Sequence, residues 1–239
     1  MSLNSHPAND NKYTTKLGST KQYHNKKGTM LNKNTIVSPQ EALAGRETAI
    51  IPNEKHFINQ SDLIAPIEGE QQQILFGMGC FWGAERLFWQ LDGVQSTAVG
   101  YSGGYTKNPT YDEVCSGNTA HTEVVKVVFD PSVLPVAQLL RHFWENHDPT
   151  QGLQQGNDRG SQYRSAIYTY NDSQFEIATA SMQAYQQALT KIKPDAITTE
   201  IKAAAEFYFA EDYHQQYLAK NPNGYCGLGG TGACFPPER

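Results

Sequence analysis

The sequence predicts a mixed α/β sandwich, and three observations carry that prediction. Short apolar runs of strand length alternate with stretches of helical spacing over about 150 residues. Glycine, proline and asparagine punctuate the boundaries between them. The chain has 239 residues, enough for one sizeable domain with tails and a real core.

Taken in order, residues 1–36 hold six lysines and one acid, Asp10, with no apolar periodicity. They read as a disordered or appended tail. A transit peptide would be acid-poor too, but it needs arginine and an amphipathic face, and neither is present. Residues 37–72 are punctuated by prolines and Gly69 and read as an extended arm packing on the domain. The catalytic α/β domain is expected over 73–220, beginning with a strand at Ile74–Met78 that ends on Gly79-Cys80. Phe81, Ala84, Phe88 and Leu91 then recur at helical spacing. Val94–Val99 is a strand that runs into a glycine-rich turn through Gly104, and Thr110–Cys115 is a helical turn. His121–Phe129 is a strand closed by Asp130-Pro131, and Pro135–His147 is a helix with proline at its start. Arg164–Tyr170 is a strand, Ser173–Ile192 a long helix, Ile197–Ile201 a strand, and Glu211–Lys220 a final helix. Residues 221–239 are too rich in glycine and proline to be regular and read as a mobile tail with two cysteines.

Composition excludes several functions. A net charge of -5 argues against a nucleic-acid binder, which would present a basic face. No apolar run approaches the ~20 residues that span a bilayer, and no export signal is evident, so a cytoplasmic protein is expected. Only 18% of residues are charged, and nineteen glutamines and fifteen asparagines supply much of the polarity. Four cysteines are too few for a disulfide scaffold and more than packing needs.

Three motif matches do not hold. Gly227–Gly232 fits G-x-G-x-x-G, but only seven residues follow it, too few for the helix a dinucleotide site requires. Gly100-Tyr-Ser102-Gly-Gly104 fits a serine-hydrolase elbow, yet loop residues follow it where a helix must start. His142 and His147 are five apart, a poor pair for a metal on one helix face, and read as ordinary polar or capping residues.

Cys80 is the candidate nucleophile. It stands between an apolar strand and an apolar helix, where free N–H groups and the dipole favour a thiolate. Phe81 and Trp82 follow it and could either wall a small apolar pocket or fill core. Glu123 shares a strand face with His121, Val125, Val127 and Phe129. If that end is buried, its carboxyl stays protonated and serves as a general acid. If the other face (Val124, Lys126, Val128) is the buried one, Glu123 is a solvated strand residue. Cys226 and Cys234 lie in the glycine-rich tail, and a nucleophile with movable thiols is the layout of thiol–disulfide exchange. Cys115 reads as a packed helical cysteine.

Gly79-Cys80-Phe81-Trp82-Gly83 with Glu85 resembles the signature of the A-type peptide methionine sulfoxide reductases. The resemblance continues through Gly100–Gly104, Pro109-Thr-Tyr111, His121-Thr-Glu123, Phe143–His147, Gly156-Asn-Asp158, Gln162–Ser165 and Gly224-Tyr-Cys226, and covers roughly residues 38–239. It implies an α+β fold: a two-layer α/β sandwich with a ferredoxin-like mixed-sheet core. It implies that Cys80 attacks the sulfur of methionine S-sulfoxide, protein-bound or free, and becomes a sulfenic acid. Glu123 would then protonate the sulfoxide oxygen while Tyr111 and Tyr163 hydrogen-bond it. Phe81 and Trp82 would hold the methyl group, with Asp158 in the same region. Cys226 would resolve the sulfenic acid as a disulfide that passes to Cys234, and thioredoxin, or a dithiol such as dithiothreitol, would reduce it. No bound metal or organic cofactor, no nucleic acid and no membrane are expected, and the enzyme would act as a monomer in repair of oxidative damage. A cysteine or serine hydrolase using Cys80 or Ser102, and a binding module with structural cysteines, are the competing readings.

Overall fold

The apolar run at Ile74–Met78 lies in the middle of a six-stranded sheet in the computed structural model, which describes residues 35–236. Residues 1–34, where most of the N-terminal tail is expected, and 237–239 lie outside the described residues. The first half contains β1 (Gln72–Met78), α1 (Phe81–Trp89), β2 (Val94–Ser102), α2 (Tyr111–Cys115), β3 (Thr122–Phe129) and α3 (Val136–Glu145). Then come the short strands β4 (Gln154–Gln155) and β5 (Asp158–Arg159), followed by β6 (Ser165–Thr169) and α4 (Asp172–Leu189). The last elements are β7 (Glu200–Ala203), β8 (Tyr208–Phe209) and α5 (Tyr217–Lys220).

The strand order is β7-β6-β1-β3-β2-β8. The four inner strands are antiparallel neighbours, and α1 and α3 connect β1 to β2 and β3 to β6. That is the β-α-β-β-α-β order of a ferredoxin-like core. β7 joins β6 in parallel, which makes the sheet mixed.

Alternation decides which side chains face the helices. Ile74, Phe76, Val125, Val127 and Phe129 pack with Phe88, Leu139, Phe143 and Trp144 in one core. Phe76 stacks between Phe88 and Phe143, with ring centroids 4.8 and 5.3 Å away. The opposite face buries Leu75, Val124, Ala166 and Tyr168 beneath Ala204 and Phe207. Both faces of β3 are therefore buried, an answer that neither choice of strand face anticipates. Lys126 is held on the second face, where its Nζ donates to the Leu63 carbonyl at 3.3 Å and lies over the rings of Phe207 and Phe209.

Two expected elements differ. The strand expected at Ile197–Ile201 sits at Glu200–Ala203, because Ile197 and Thr198 give their N–H groups to Gln186 Oε1 and the Pro149 carbonyl. The helix expected over Glu211–Lys220 is a 3-10 turn (Asp212–His214) and the four-residue α5. Gln216 breaks it with a left-handed φ of 47°. Tertiary bonds force the break: Gln215 exchanges hydrogen bonds with both backbone groups of Val99, and the N–H of Gln216 reaches the Glu85 carboxylate.

The segment after α5 forms no helix or strand among its described residues. It lies against the domain: Leu228 and Phe235 pack on the core and Ala233 is buried. Phe235 N donates to Glu145, and Tyr185 Oη to the Ala233 carbonyl. No helix among the described residues is long and apolar enough to cross a membrane.

Candidate active site

At the end of β1 the chain must turn sharply into α1. Gly79 makes that turn with φ 85°, and a Cβ there would stand 2.6 Å from Cβ of Gln155. Cys80 follows as the N-cap residue of α1, and Phe81 and Trp82 occupy its first turn.

Cys80, Phe81, Trp82, Tyr111, Glu123, Asp158 and Tyr163 all border one cleft of about 130 Å³, together with Tyr225. That is smaller than a drug-sized pocket, roughly 300–1,000 Å³, and suits the tip of one side chain. Larger hollows elsewhere on the surface lack a thiol. Tyr111 opens α2, which is started by a capping box between Thr110 and Glu113. The N–H of Tyr111 is also held by Glu211 Oε1 at 2.9 Å. Tyr163 ends the 3-10 turn Ser161–Tyr163. Asp158 comes from the β4–β5 hairpin, where its Oδ2 accepts from Tyr225 Oη at 3.2 Å.

Glu123 is 1% exposed, and its one hydrogen bond comes from Phe81 N–H to Oε2 at 3.1 Å. Burial pushes its carboxyl up to about 8, so at neutral pH it carries its proton. The Tyr111 and Tyr163 hydroxyls are pushed above their ordinary range, chiefly by burial, and remain neutral donors. The expected Cys80 thiolate needs correction. The N–H of Trp82 at the helix terminus does pull the thiol down, but burial pushes it up by far more. At rest Cys80 is a neutral thiol.

Two further wall residues, His214 and Tyr217, lie outside the sequence motifs, and a third, Tyr225, stands within Gly224-Tyr-Cys226. His214 Nδ1 accepts from Trp82 Nε1 at 3.0 Å, and its ring lies 4.5 Å from that of Tyr111. Tyr217 stacks on Trp82 at 3.9 Å, and Tyr225 borders the cleft itself. His214 and Tyr217 fall in the segment expected to be a helix, and the density of aromatic and amide side chains there was the available hint. Behind this wall the buried Glu85 accepts from Thr97 Oγ1 and from the Gln216 backbone and side chain.

No disulfide joins any of Cys80, Cys115, Cys226 and Cys234. Cys226 lies over the first turn of α1, where its Sγ accepts from Arg86 Nη2 at 3.1 Å. Cys234 is exposed between the two anchors, the Ala233 carbonyl held by Tyr185 and the Phe235 N–H held by Glu145, and it is not among the residues that border the cleft. Ser102 is buried, with its Oγ given to the Glu206 carbonyl at 3.0 Å, so it is no elbow nucleophile. His147 is buried within α3–β6 packing, bonded to the Phe143 carbonyl and to Ser165 Oγ. The described residues contain no cluster of three metal-ligating side chains.

A thiol, a protonated carboxyl and two phenols thus border one small cleft at the end of the mixed sheet, a set of groups suited to redox chemistry on a small polar group. Residues 72–231 match the family model of peptide methionine sulfoxide reductase. The peptide methionine sulfoxide reductase MsrA of Vibrio vulnificus is 67% identical over 208 residues, which cover 87% of this chain and all of that protein. The MsrA of Vibrio cholerae is 68% identical over 209 residues, 87% of this chain and 99% of that protein. Among solved structures, methionine sulfoxide reductase A of Corynebacterium diphtheriae superposes with a TM-score of 0.76 at 45% identity, covering 80% of this chain and 93% of that one. Reduced Mxr1 from Saccharomyces cerevisiae gives 0.60 at 32% identity, over 70% and 92% of the two chains. The chain belongs to the peptide methionine sulfoxide reductase family, of the MsrA type: it is an oxidoreductase acting on methionine sulfoxide.

Proposed function

We propose that this enzyme reduces the S epimer of methionine sulfoxide, protein-bound and free, through a sulfenic acid on Cys80. The observation that carries the reading is the buried, protonated Glu123 in the same small cleft as Cys80. A sulfoxide oxygen leaves poorly until it is protonated, and Glu123 holds the proton it needs. Tyr111 and Tyr163 border the same cleft as neutral donors to the oxygen. Phe81 and Trp82 offer the methyl group an apolar wall. Fixing methyl and oxygen on different walls is what distinguishes the two epimers. Asp158, which accepts from Tyr225 Oη, supplies a further polar part of the cleft lining.

The neutral resting thiol suits this order of events. Glu123 passes its proton to the oxygen, which makes the sulfur electrophilic. The Cys80 sulfur attacks with its electron pair, and its own proton passes to the Glu123 carboxylate. The hydroxyl then passes with its electron pair from the substrate sulfur to the Cys80 sulfur as the new S–S bond between them breaks. That bond's electron pair stays on the sulfur of methionine, which departs as the thioether, and Cys80 is left as S–OH. Cys226 then displaces hydroxide as water and forms a disulfide with Cys80. Cys234 takes over that bond after the tail lets go of its anchors on α3 and α4, and thioredoxin or dithiothreitol reduces it. No bound cofactor takes part. We place the enzyme as a monomer in the cytoplasm, where the thioredoxin pool regenerates thiols.

The test is turnover of dabsyl-methionine S- and R-sulfoxide with dithiothreitol, read by chromatography of the methionine product. The S epimer should be consumed and the R epimer left. Equal consumption of both, or of neither by folded protein, would overturn the reading.

A further inference from the structure

Cys226 does not hang free beside the site. Its Sγ rests over Gly83, where a Cβ would come within 2.9 Å of that sulfur and 3.1 Å of Leu228 Cβ. Arg86 Nη2 donates to the same sulfur at 3.1 Å. That bond is the one polar side-chain contact of Arg86, whose guanidinium has no carboxylate partner among the described residues. Cys80, Gly83 and Arg86 are spaced three residues apart, so the N-cap, the notch and the cation run along one stripe of α1. The Cys226 sulfur therefore rests on the same first turn of α1 that Cys80 caps. Arginine spends its charge on carboxylates or phosphates where it can. Here it is spent on a sulfur, over a gap that only glycine leaves open.

We propose that Arg86 is a positioning residue for the second half-reaction: it holds the Cys226 sulfur in the Gly83 notch and neutralises the charge that sulfur takes on when it gives up its proton to attack. The inference rests on the reading of Cys226 as the thiol that resolves Cys80. In the step, Cys226 loses its proton and its sulfur attacks the sulfur of Cys80–S–OH. The Cys80 S–O bond breaks, hydroxide departs and takes up a proton, and one S–S bond and one water result, with no electrons left over. A charge-assisted hydrogen bond of this kind changes a rate by roughly 10- to 100-fold.

The experiment is a single turnover of the fully reduced enzyme with one equivalent of methionine S-sulfoxide. Rapid quenching reads methionine formed, sulfenic acid trapped by dimedone, and the Cys80–Cys226 disulfide by peptide mass. In Arg86→Gln the ratio of the disulfide-forming rate to the methionine-forming rate should fall roughly 10- to 100-fold, with dimedone-reactive Cys80 accumulating. Arg86→Lys, which keeps the charge, should recover part of the ratio, and gives the same comparison should the glutamine variant fold poorly. A general structural role would slow both steps together and leave the ratio alone. Cys226→Ser is the separate check: if it accumulates no sulfenic acid, the reading of Cys226 is wrong. If Cys226→Ser does accumulate sulfenic acid while Arg86→Gln keeps the wild-type ratio, the role of Arg86 alone is overturned.

Discussion

Glu123 is the residue in which function and stability oppose each other. Its carboxyl is fully buried with one hydrogen bond, and its folded value near 8 lies above the ordinary 4.5. Between those values the folded protein holds a proton that the unfolded chain releases, so stability falls as pH rises. The contribution is intact below about 4.5 and is lost progressively up to about 8. Glu123→Gln removes that dependence. Relative to wild type the variant should gain stability between pH 5 and pH 8, on the order of 3 kcal/mol by pH 7, measured by urea unfolding at each pH. The same change removes the transferable proton and should slow methionine formation by about 10²- to 10⁴-fold. A variant with wild-type rates would mean that another group protonates the sulfoxide.

At the scale of elements, α1 and the segment after β8 build the site together. Only one of them could be read from the sequence. The β1–α1 junction carried its own signals: an apolar strand, a glycine that takes a left-handed turn, then helical spacing. The stretch 211–217 carried none, because its shape is imposed from outside. Gln215 closes on β2 as a side-chain stand-in for a strand partner, and Gln216 is held left-handed over Glu85. Sequence periodicity records which face a helix buries and says nothing of bonds between residues more than a hundred positions apart. Seven of the nine expected site residues, singled out where motif and chemistry coincide, border one cleft. His214 and Tyr217 were not singled out, since their place depends on that imposed turn. Their contribution is measurable. His214→Phe keeps a ring against Trp82 and loses the acceptor, a bond of about 1 kcal/mol. The Michaelis constant for methionine S-sulfoxide should rise roughly 5-fold with a smaller change in turnover. Unchanged constants would make the bond incidental to the cleft.

Across the whole molecule, the arm is a working part of the domain. Arg46 pairs with Glu113 of α2 at 2.7 Å, His56 meets Thr97 at 3.0 Å, and Leu63 is buried. Phe57 N donates to Gln216 Oε1, which links the arm to the segment that carries His214 and Tyr217. Deleting residues 1–34 should leave the melting temperature within about 2 °C of the full chain. Deletion through residue 63 should lower it by roughly 10 °C or more and weaken substrate binding. Equal melting temperatures for the two truncations would show the arm to be dispensable. The resting state of Cys80 has a consequence for how the enzyme lives among oxidants. Hydrogen peroxide and alkylating agents react with thiolates and largely pass over thiols. With the Cys80 thiol pushed up by burial, its alkylation and peroxide oxidation should be slow at neutral pH, which iodoacetamide labelling of the reduced enzyme would check. In the proposed reaction the sulfoxide itself calls up the nucleophile, so the desolvation that at first looks like a handicap would also serve as selectivity against bystander chemistry.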